Sequence, residues 1–448
     1  MRPKLHFTPP HGWMNDPNGL IYYKGQYHLF YQHFPYTCEW GTMHWGHAVT
    51  RDLVHFEHLP IALYPSKIYD RNGCFSGSAI EKDGDMYLYY TSIRYAKENP
   101  EYVHVQYSDD DLIASQSLVI SHDGYTFDNK NDKHLVIDVI EDASHGDKRH
   151  TRDPKVWIGK NGHIYMIVGS KVPGEHGYNG EVLFYESIDG LHFEFKNRFI
   201  DETIGDMWEC PDLIQLDGQY FMIFSPENVN LPPKPDSSAV IMPVDFDEET
   251  CTLTKLGDYQ YIDYGLDFYA PQTFLDENQN RVLLGWLRMR IPEEGDDWVG
   301  MFSYPRVLTV KNHHVYQTVH PNVQKQFTHE MKDIDWNQPF MMTYTMDNHE
   351  KICLAGLELE IKDDCLCANR EKISIQHEKV CNENQTQPLN GQYHLDIYYD
   401  HQIFEIYIND GYSVLSQVVY HIDRDDTNYQ KEKAKIYRNK CRVLTKIL

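Results

Sequence analysis

Five times between residues 16 and 287 the chain runs through the same short programme. DPNGLIYYKGQYHLFYQ opens at Asp16, SGSAIEKDGDMYLYYTS at Ser76 and DPKVWIGKNGHIYMIVGS at Asp153. ECPDLIQLDGQYFMIFS opens at Glu209 and YAPQTFLDENQNRVLLGWL at Tyr269, so the intervals are 60, 77, 56 and 60 residues. Each segment is a conspicuous polar or aromatic residue, an apolar strand, a turn bearing Gly or Asn, and a second strand rich in Tyr, Leu, Ile or Phe. That is the signature of a β-hairpin. More strand-like sequence follows each hairpin, as in HAVTRDLVHFEHL and VLFYESIDGLHFEF. Four strands per unit and five units predict an all-β chain with a five-bladed β-propeller. A large sandwich or jelly roll would also show many short strands, but it gives no reason for one residue to recur at the same place in every unit.

In a propeller the first strand of each blade lines a central channel. Asp16, Ser76, Asp153, Glu209 and Tyr269 are therefore expected to converge in one funnel. Like charges in a desolvated cavity repel, so two aspartates and a glutamate there are costly unless used. Taken singly, Asn15-Asp16-Pro17-Asn18-Gly19 reads as a tight turn, Arg152-Asp153 as a local ion pair and Glu209-Cys210-Pro211 as nothing in particular. The acids carry weight only as a set.

Beyond residue 320 the pattern changes. Residues 1–320 are expected as the propeller, 321–335 as a linker and 336–448 as a small C-terminal β-sandwich, with Asn409-Asp410-Gly411 as a hairpin turn.

Composition narrows the function. Asp plus Glu number 67 against 41 Lys plus Arg, a formal charge of −26. Such a chain repels phosphate backbones and anionic lipid heads, so neither nucleic acid nor a membrane is an expected partner. The 33 tyrosines suit strands and also surfaces that stack on sugar rings. The N-terminus MRPKLHFTPPHGW has no apolar leader, and no apolar run is long enough to span a bilayer. Nine scattered cysteines are not a disulfide framework, which points to a reducing, cytoplasmic setting. Cys365, Cys367, His377 and Cys381 cluster, but Cys-x-Cys fits an alternating strand better than a zinc knuckle, so no metal and no cofactor are expected. His11, His33, His44 and His47 lack ligand spacing and read as structural.

With these motifs in order, the chain resembles glycoside hydrolase family 32, the invertases, fructanases and sucrose-6-phosphate hydrolases, along nearly its full length. WMNDPNG (13–19), QYHLFYQ (26–32), EWGTMHWGHA (39–48), FSGS (75–78), RDP (152–154), ECP (209–211), DFYAPQTF (267–274) and GWLR (285–288) carry the resemblance. It implies a five-bladed propeller followed by a β-sandwich, and a retaining β-fructofuranosidase acting on sucrose, sucrose-6-phosphate or short fructo-oligosaccharides. By that resemblance Asp16 is the nucleophile, Glu209 the general acid/base and Asp153 the transition-state stabiliser. Asn15, Gln32, Trp40, Phe75, Ser76, Arg152, Tyr269 and Trp286 match positions lining the fructosyl pocket. Trp208 and Cys210 are expected to bury Glu209, and Arg152 to keep Asp153 anionic. Lys148, Arg149, His150, Arg288 and Arg290 are candidate cations at the rim. The segment WVGMFSYPRVLTV departs from the family, and its Met301, Phe302 and Tyr304 are expected to pack beside the channel. An inverting glycosidase of arabinosides or xylosides, and a non-catalytic sugar-binding propeller, are the competing readings.

Overall fold

The computed structural model describes residues 2–229, 238–375 and 381–439. Its helices are single turns, and the chain is otherwise β-strand and loop. Five antiparallel sheets follow one another in sequence. Their opening strands are Gly12–Tyr23, Gly73–Lys82, Arg152–Ile158, Trp208–Leu216 and Phe268–Leu275. In each sheet the next strands are added in chain order. Trp298–Val299 returns from the region of the fifth sheet to pair, in parallel, with Gly12 and Trp13 at the edge of the first. The five opening strands contact one another in turn, and the fifth also contacts the first.

The turn residues explain the hairpins. Lys24-Gly25, Asp83-Gly84 and Asp217-Gly218 all have positive φ at both positions, which is what a two-residue turn matched to strand twist requires. The connection from the third strand to the fourth is also repeated. His55 Nδ1 lies 2.6 Å from Asp52 and His192 Nδ1 lies 2.7 Å from Asp189, the same Asp–His turn three residues long in the first and third sheets.

The opening strands share one irregularity. Pairing with the neighbouring strand slips between Met14 and Pro17, Phe75 and Gly77, Glu209 and Asp212, and Tyr269 and Gln272. In the third sheet the slip falls opposite Ile167 and Gly169, between Arg152 and Lys155. A bulge bends its strand and re-aims a side chain. Asp153 and Cys210 take up positive φ to make theirs, at 69° and 48°.

The C-terminal region forms a six-stranded sheet and a four-stranded sheet sharing one apolar core that includes Met342, Leu359, Leu366, Phe404 and Leu415. Ile403–Ile408 and Ser413–Val418 pair around Asn409-Asp410-Gly411, as the turn signal predicted. Within 321–335 the chain is not featureless. Pro321–Gln324 forms a helical turn, and Phe327–Met331 is an edge strand of the six-stranded sheet, paired with Ala434–Asn439. Met301, Phe302 and Tyr304 pack into buried cores, and none of them lines the cavity described below. Strand pairing turns Met301 and Phe302 onto Arg281–Leu287, and Tyr304 stacks on His6.

Candidate active site

The bulges of the first four sheets deliver their side chains to one cavity of about 280 Å³. Asn15, Asp16, Gln32, Trp40, Phe75, Ser76, Arg152, Asp153 and Glu209 line it. Tyr269 and Trp286 do not. Tyr269 stands behind Glu209 and donates its hydroxyl to Glu209 Oε2. Trp286 packs with Cys210, Tyr269 and Ala270, its ring 5.8 Å from that of Trp13.

Two carboxyl groups from two sheets meet at a single thiol, and the third belongs to the residue beside it. Cys210 Sγ is 3.6 Å from Asp16 Oδ2 and 3.7 Å from Asp153 Oδ2, and the Cys210 N–H donates to Asp153 at 3.0 Å. Glu209 is the adjoining residue. Asp16 is held from both sides: Ser76 donates to one oxygen at 2.5 Å and the Asn15 amide to the other at 2.9 Å. The Trp13 indole in turn donates to Asn15 at 2.8 Å, which fixes the way that amide faces.

Burial pushes Asp16 up to about 6, with the charge of Glu209 adding to it and the Ser76 and Asn15 donors holding it back. Burial likewise raises Asp153 to about 7 against the attraction of Arg152, with Glu209 and Asp16 pushing the same way as burial. The thiol of Cys210 is driven far up by burial between the two aspartates, so it is a neutral filler.

Two expectations need correction. Arg152 does attract Asp153, but burial outweighs it and its hydrogen bonds go to Glu209: its Nε and second terminal nitrogen donate to Glu209 Oε1 at 3.1 and 2.9 Å. Trp208 does not bury Glu209. Side chains alternate along a strand, so Trp208 faces the other way. It packs on Phe224 with ring centroids 4.4 Å apart and donates to the Ile204 carbonyl.

Sequence reasoning missed Glu227. It lines the cavity, lies 3.3 Å from Arg152, and is raised to about 7 chiefly by the charge of Glu209. It sits one residue beyond the strand Gln219–Pro226, where no motif distinguishes it. Gln106 and Leu112, also on the wall, lie beyond the second sheet's hairpin in sequence that reads as strand but carries no site signal; the strand begins only at Leu112. Of the candidate rim cations, Arg149 and His150 line the cavity. Lys148 is paired with Glu141 at 2.7 Å, Arg288 lies over the Tyr269 ring, and the backbone of Arg290 binds Tyr420. His11, His33, His44 and His47 do not line it. His33 and His44 bind backbone carbonyls, and His47 pairs with His28. Among the described residues no group of three or more His, Cys, Asp or Glu is arranged to hold a metal ion. His377 lies outside the described residues.

The family model of the glycosyl hydrolases family 32 N-terminal domain matches residues 6–319, and that of the family's C-terminal domain matches 362–440. The chain belongs to glycosyl hydrolase family 32. A sucrose-6-phosphate hydrolase of Zymomonas mobilis is 36% identical over 338 residues, covering 70% of this chain and 61% of that protein. One of Vibrio alginolyticus is 30% identical over 446 residues, covering 91% and 84%. The chain thus matches about three fifths of the length of the Zymomonas relative and more of the Vibrio one. Among solved structures, a Bombyx mori family 32 β-fructofuranosidase mutant in complex with sucrose superposes with TM-score 0.75 at 27% identity, covering 98% of this chain and 91% of that one. The sucrose-6-phosphate hydrolase of Lactobacillus gasseri reaches TM-score 0.84 at 23% identity over 98% and 93%, a likeness of fold.

Proposed function

We propose that this family 32 protein is a retaining β-fructofuranosidase that hydrolyses terminal β-D-fructofuranosides through a covalent fructosyl-enzyme. The observation that carries the reading is the meeting of Asp16, Asp153 and Glu209 in one cavity, two of them against the thiol beside the third.

In the first step the Asp16 carboxylate attacks the anomeric carbon C2, the bond from C2 to the leaving oxygen breaks, and Glu209 gives that oxygen its proton. In the second, Glu209 takes a proton from water, which attacks C2 and frees Asp16. Asp153 binds fructosyl hydroxyls whose hydrogen bonds tighten as positive charge develops at C2. Arg152 and Tyr269 orient Glu209, and Asn15 and Ser76 orient Asp16. Trp40, Phe75 and Gln32 shape the wall, and Trp286 supports it from behind. This chemistry uses carboxyl groups alone, so no cofactor is assigned.

The architecture proposed with it is a five-bladed propeller in residues 1–320 and a sandwich in 336–448, supported by the five consecutive sheets with neighbouring opening strands and the two sheets sharing a core. A reducing, cytoplasmic location is supported by the eight cysteines of the described residues, all free. No helix of the described residues is long and apolar enough to cross a membrane.

The test is the anomer of fructose released first from sucrose, read by NMR. Retention of the β configuration is expected, and an inverted first product overturns the mechanism. Glu209→Gln and Asp153→Asn should each lower kcat by at least about 10²–10³. Losses of only a few-fold would remove both residues from their roles.

A further inference from the structure

Glu227 has no place in the two-step chemistry, yet the fold delivers it to the acid/base. Strand pairing sets Ser225 opposite Glu209. Side chains on one face of a strand recur every second residue, so Glu227 falls on the Glu209 side. It takes the diagonal position that long side chains reach across a pair of strands. Two backbone hydrogen bonds fix it there. Its N–H donates to the Met207 carbonyl at 2.8 Å, and its own carbonyl accepts from the Asp206 N–H at 3.2 Å. From the third sheet the Arg152 guanidinium reaches both carboxyl groups. Its second terminal nitrogen lies 2.9 Å from Glu209 Oε1 and 3.3 Å from Glu227 Oε1. Burial works against the charge of Arg152, and Glu209 and then Glu227 hold it on. One cation serves two acids.

That sharing answers a difficulty in the chemistry. A general acid must carry a proton when the substrate binds, but the donors nearest to Glu209 favour its charged form. Oε1 takes two N–H groups from Arg152, and Oε2 takes the Tyr269 hydroxyl at 2.5 Å. Glu227 supplies the counterweight. The charge of Glu209, then burial, raises Glu227 to about 7, with Asp206 pushing the same way and Arg152 and Lys171 opposing. Repulsion between two carboxylates is mutual, so a charged Glu227 favours a proton on Glu209 to the same degree. Water screens part of it, since the Glu227 side chain is 40% exposed. The other charged or titratable groups around the pair have partners of their own. Lys171 lies over the Tyr178 ring at 4.2 Å, Asp206 takes the Asn228 amide, Arg288 lies over Tyr269, and His150 Nδ1 is 3.4 Å from Arg152. A glutamine at 227 would accept the same hydrogen bond from Arg152 without the repulsion, so the charge is what sets this position apart.

Building on the fructosidase reading, we propose that Glu227 is a positioning residue for the acid/base: by sharing Arg152 with Glu209 it offsets the guanidinium charge and keeps one proton available for the leaving oxygen. In the first step that proton passes from Glu209 to the leaving oxygen, and the Arg152 N–H groups hold the resulting carboxylate. In the second, the attacking water returns a proton to Glu209, and the pair is reset.

The experiment records kcat and KM for sucrose between about pH 5 and about pH 9 in the wild type and Glu227→Gln. The expected result is an alkaline limb of kcat/KM that moves down by about one unit in Glu227→Gln, with KM below the limb changed by less than about twofold. A fructoside with an aryl leaving group, which departs without a proton, gives the second reading. Its kcat/KM should fall less than about twofold at a pH where that for sucrose has fallen about tenfold. An unmoved limb, or an equal loss on both substrates, overturns the proposal, as does a rise in KM with the limb in place. If the wild type turns over neither substrate, the fructosidase reading fails, and ¹³C NMR titration of the glutamate carboxyls, assigned with Glu209→Gln, still decides the pair. A Glu209 midpoint that drops by about one unit in Glu227→Gln supports the coupling, and one that stays refutes it.

Discussion

The protein buries two clusters of carboxyl groups, and it treats them in opposite ways. At the junction of the first and fifth sheets with the six-stranded sheet, Glu405 accepts hydrogen bonds from the Arg306 guanidinium at 2.6 Å, His6 at 2.9 Å, Tyr407 at 2.9 Å and the Tyr304 N–H at 2.6 Å. Asp400 accepts from the backbone of Lys4, Leu5 and His6, and from the other ring nitrogen of His6. Burial works against both charges, yet these partners pull Glu405 down to about 2 and Asp400 below its usual range. Burial also works against a charged His6, but the two carboxylates outweigh it and hold its pKa up. In the cavity the balance reverses, and Asp16 and Asp153 rise to about 6 and 7. Acids that hold the fold together are saturated with donors. The two aspartates kept for chemistry accept hydrogen bonds only from neutral groups, and the fold carries the cost.

The comparison breaks most visibly at Asp16. Asp16→Asn should lower kcat by about 10⁵, the scale of losing a nucleophile, while the protein becomes more stable by about 2 kcal/mol near neutral pH, since a raised carboxyl is a repelled one. Sucrose turnover and urea unfolding of the same preparation check both halves. Unchanged stability would mean that the cavity acids are not strained. The converse substitution is Glu405→Gln, expected to lose about 3–5 kcal/mol because it strands Arg306 and His6 without their shared partner. Turnover per folded molecule should be retained, so a parallel loss of kcat would show that the two clusters are not separate.

How far the sequence foresaw this differs between the clusters for physical reasons. Strand and turn are local, so Asp83-Gly84 and Asp217-Gly218 announced their hairpins, and the repeat brought positions 16, 76, 153, 209 and 269 together on the page. Bulges are properties of pairing between strands. Nothing in Trp208-Glu209-Cys210 says that the strand kinks just after Glu209, and Trp208 was misplaced for a simpler reason, that neighbours along a strand face opposite ways. Glu227 and the thiol of Cys210 entered the site through register alone. The structural cluster was not legible at all, because His6 and Glu405 are 399 residues apart and neither belongs to a repeating pattern.

A smaller effect sharpens the division of labour within the cavity. Tyr269 is held neutral by burial and by Glu209, and so remains a donor. Tyr269→Phe removes one hydrogen bond to Glu209 and should lower kcat about tenfold with little change in KM, since the hydroxyl binds Glu209 and Tyr269 does not line the cavity. A rise in KM alone would instead make Tyr269 a binding residue.

The pH dependence separates the clusters without changing a residue. Asp16 and Asp153 bind protons more tightly folded than unfolded, so their contribution to stability is largest at low pH and is lost as pH climbs from their ordinary range through about 6 to 7. Glu405 does the reverse: its contribution is present above 4.5 and is lost as pH falls towards 2. Stability should therefore peak in mildly acidic solution. Activity should not peak there, because the nucleophile must be ionised: kcat/KM is expected to fall about tenfold per unit below an apparent pKa of about 6. Ser76→Ala, which removes a donor from Asp16, should move that limb upward by about half a unit to one unit, and Glu405→Gln should leave it in place. A wild-type limb near 4 would mean that Asp16 is solvated like a surface carboxylate, and the contrast between the two clusters would then be lost.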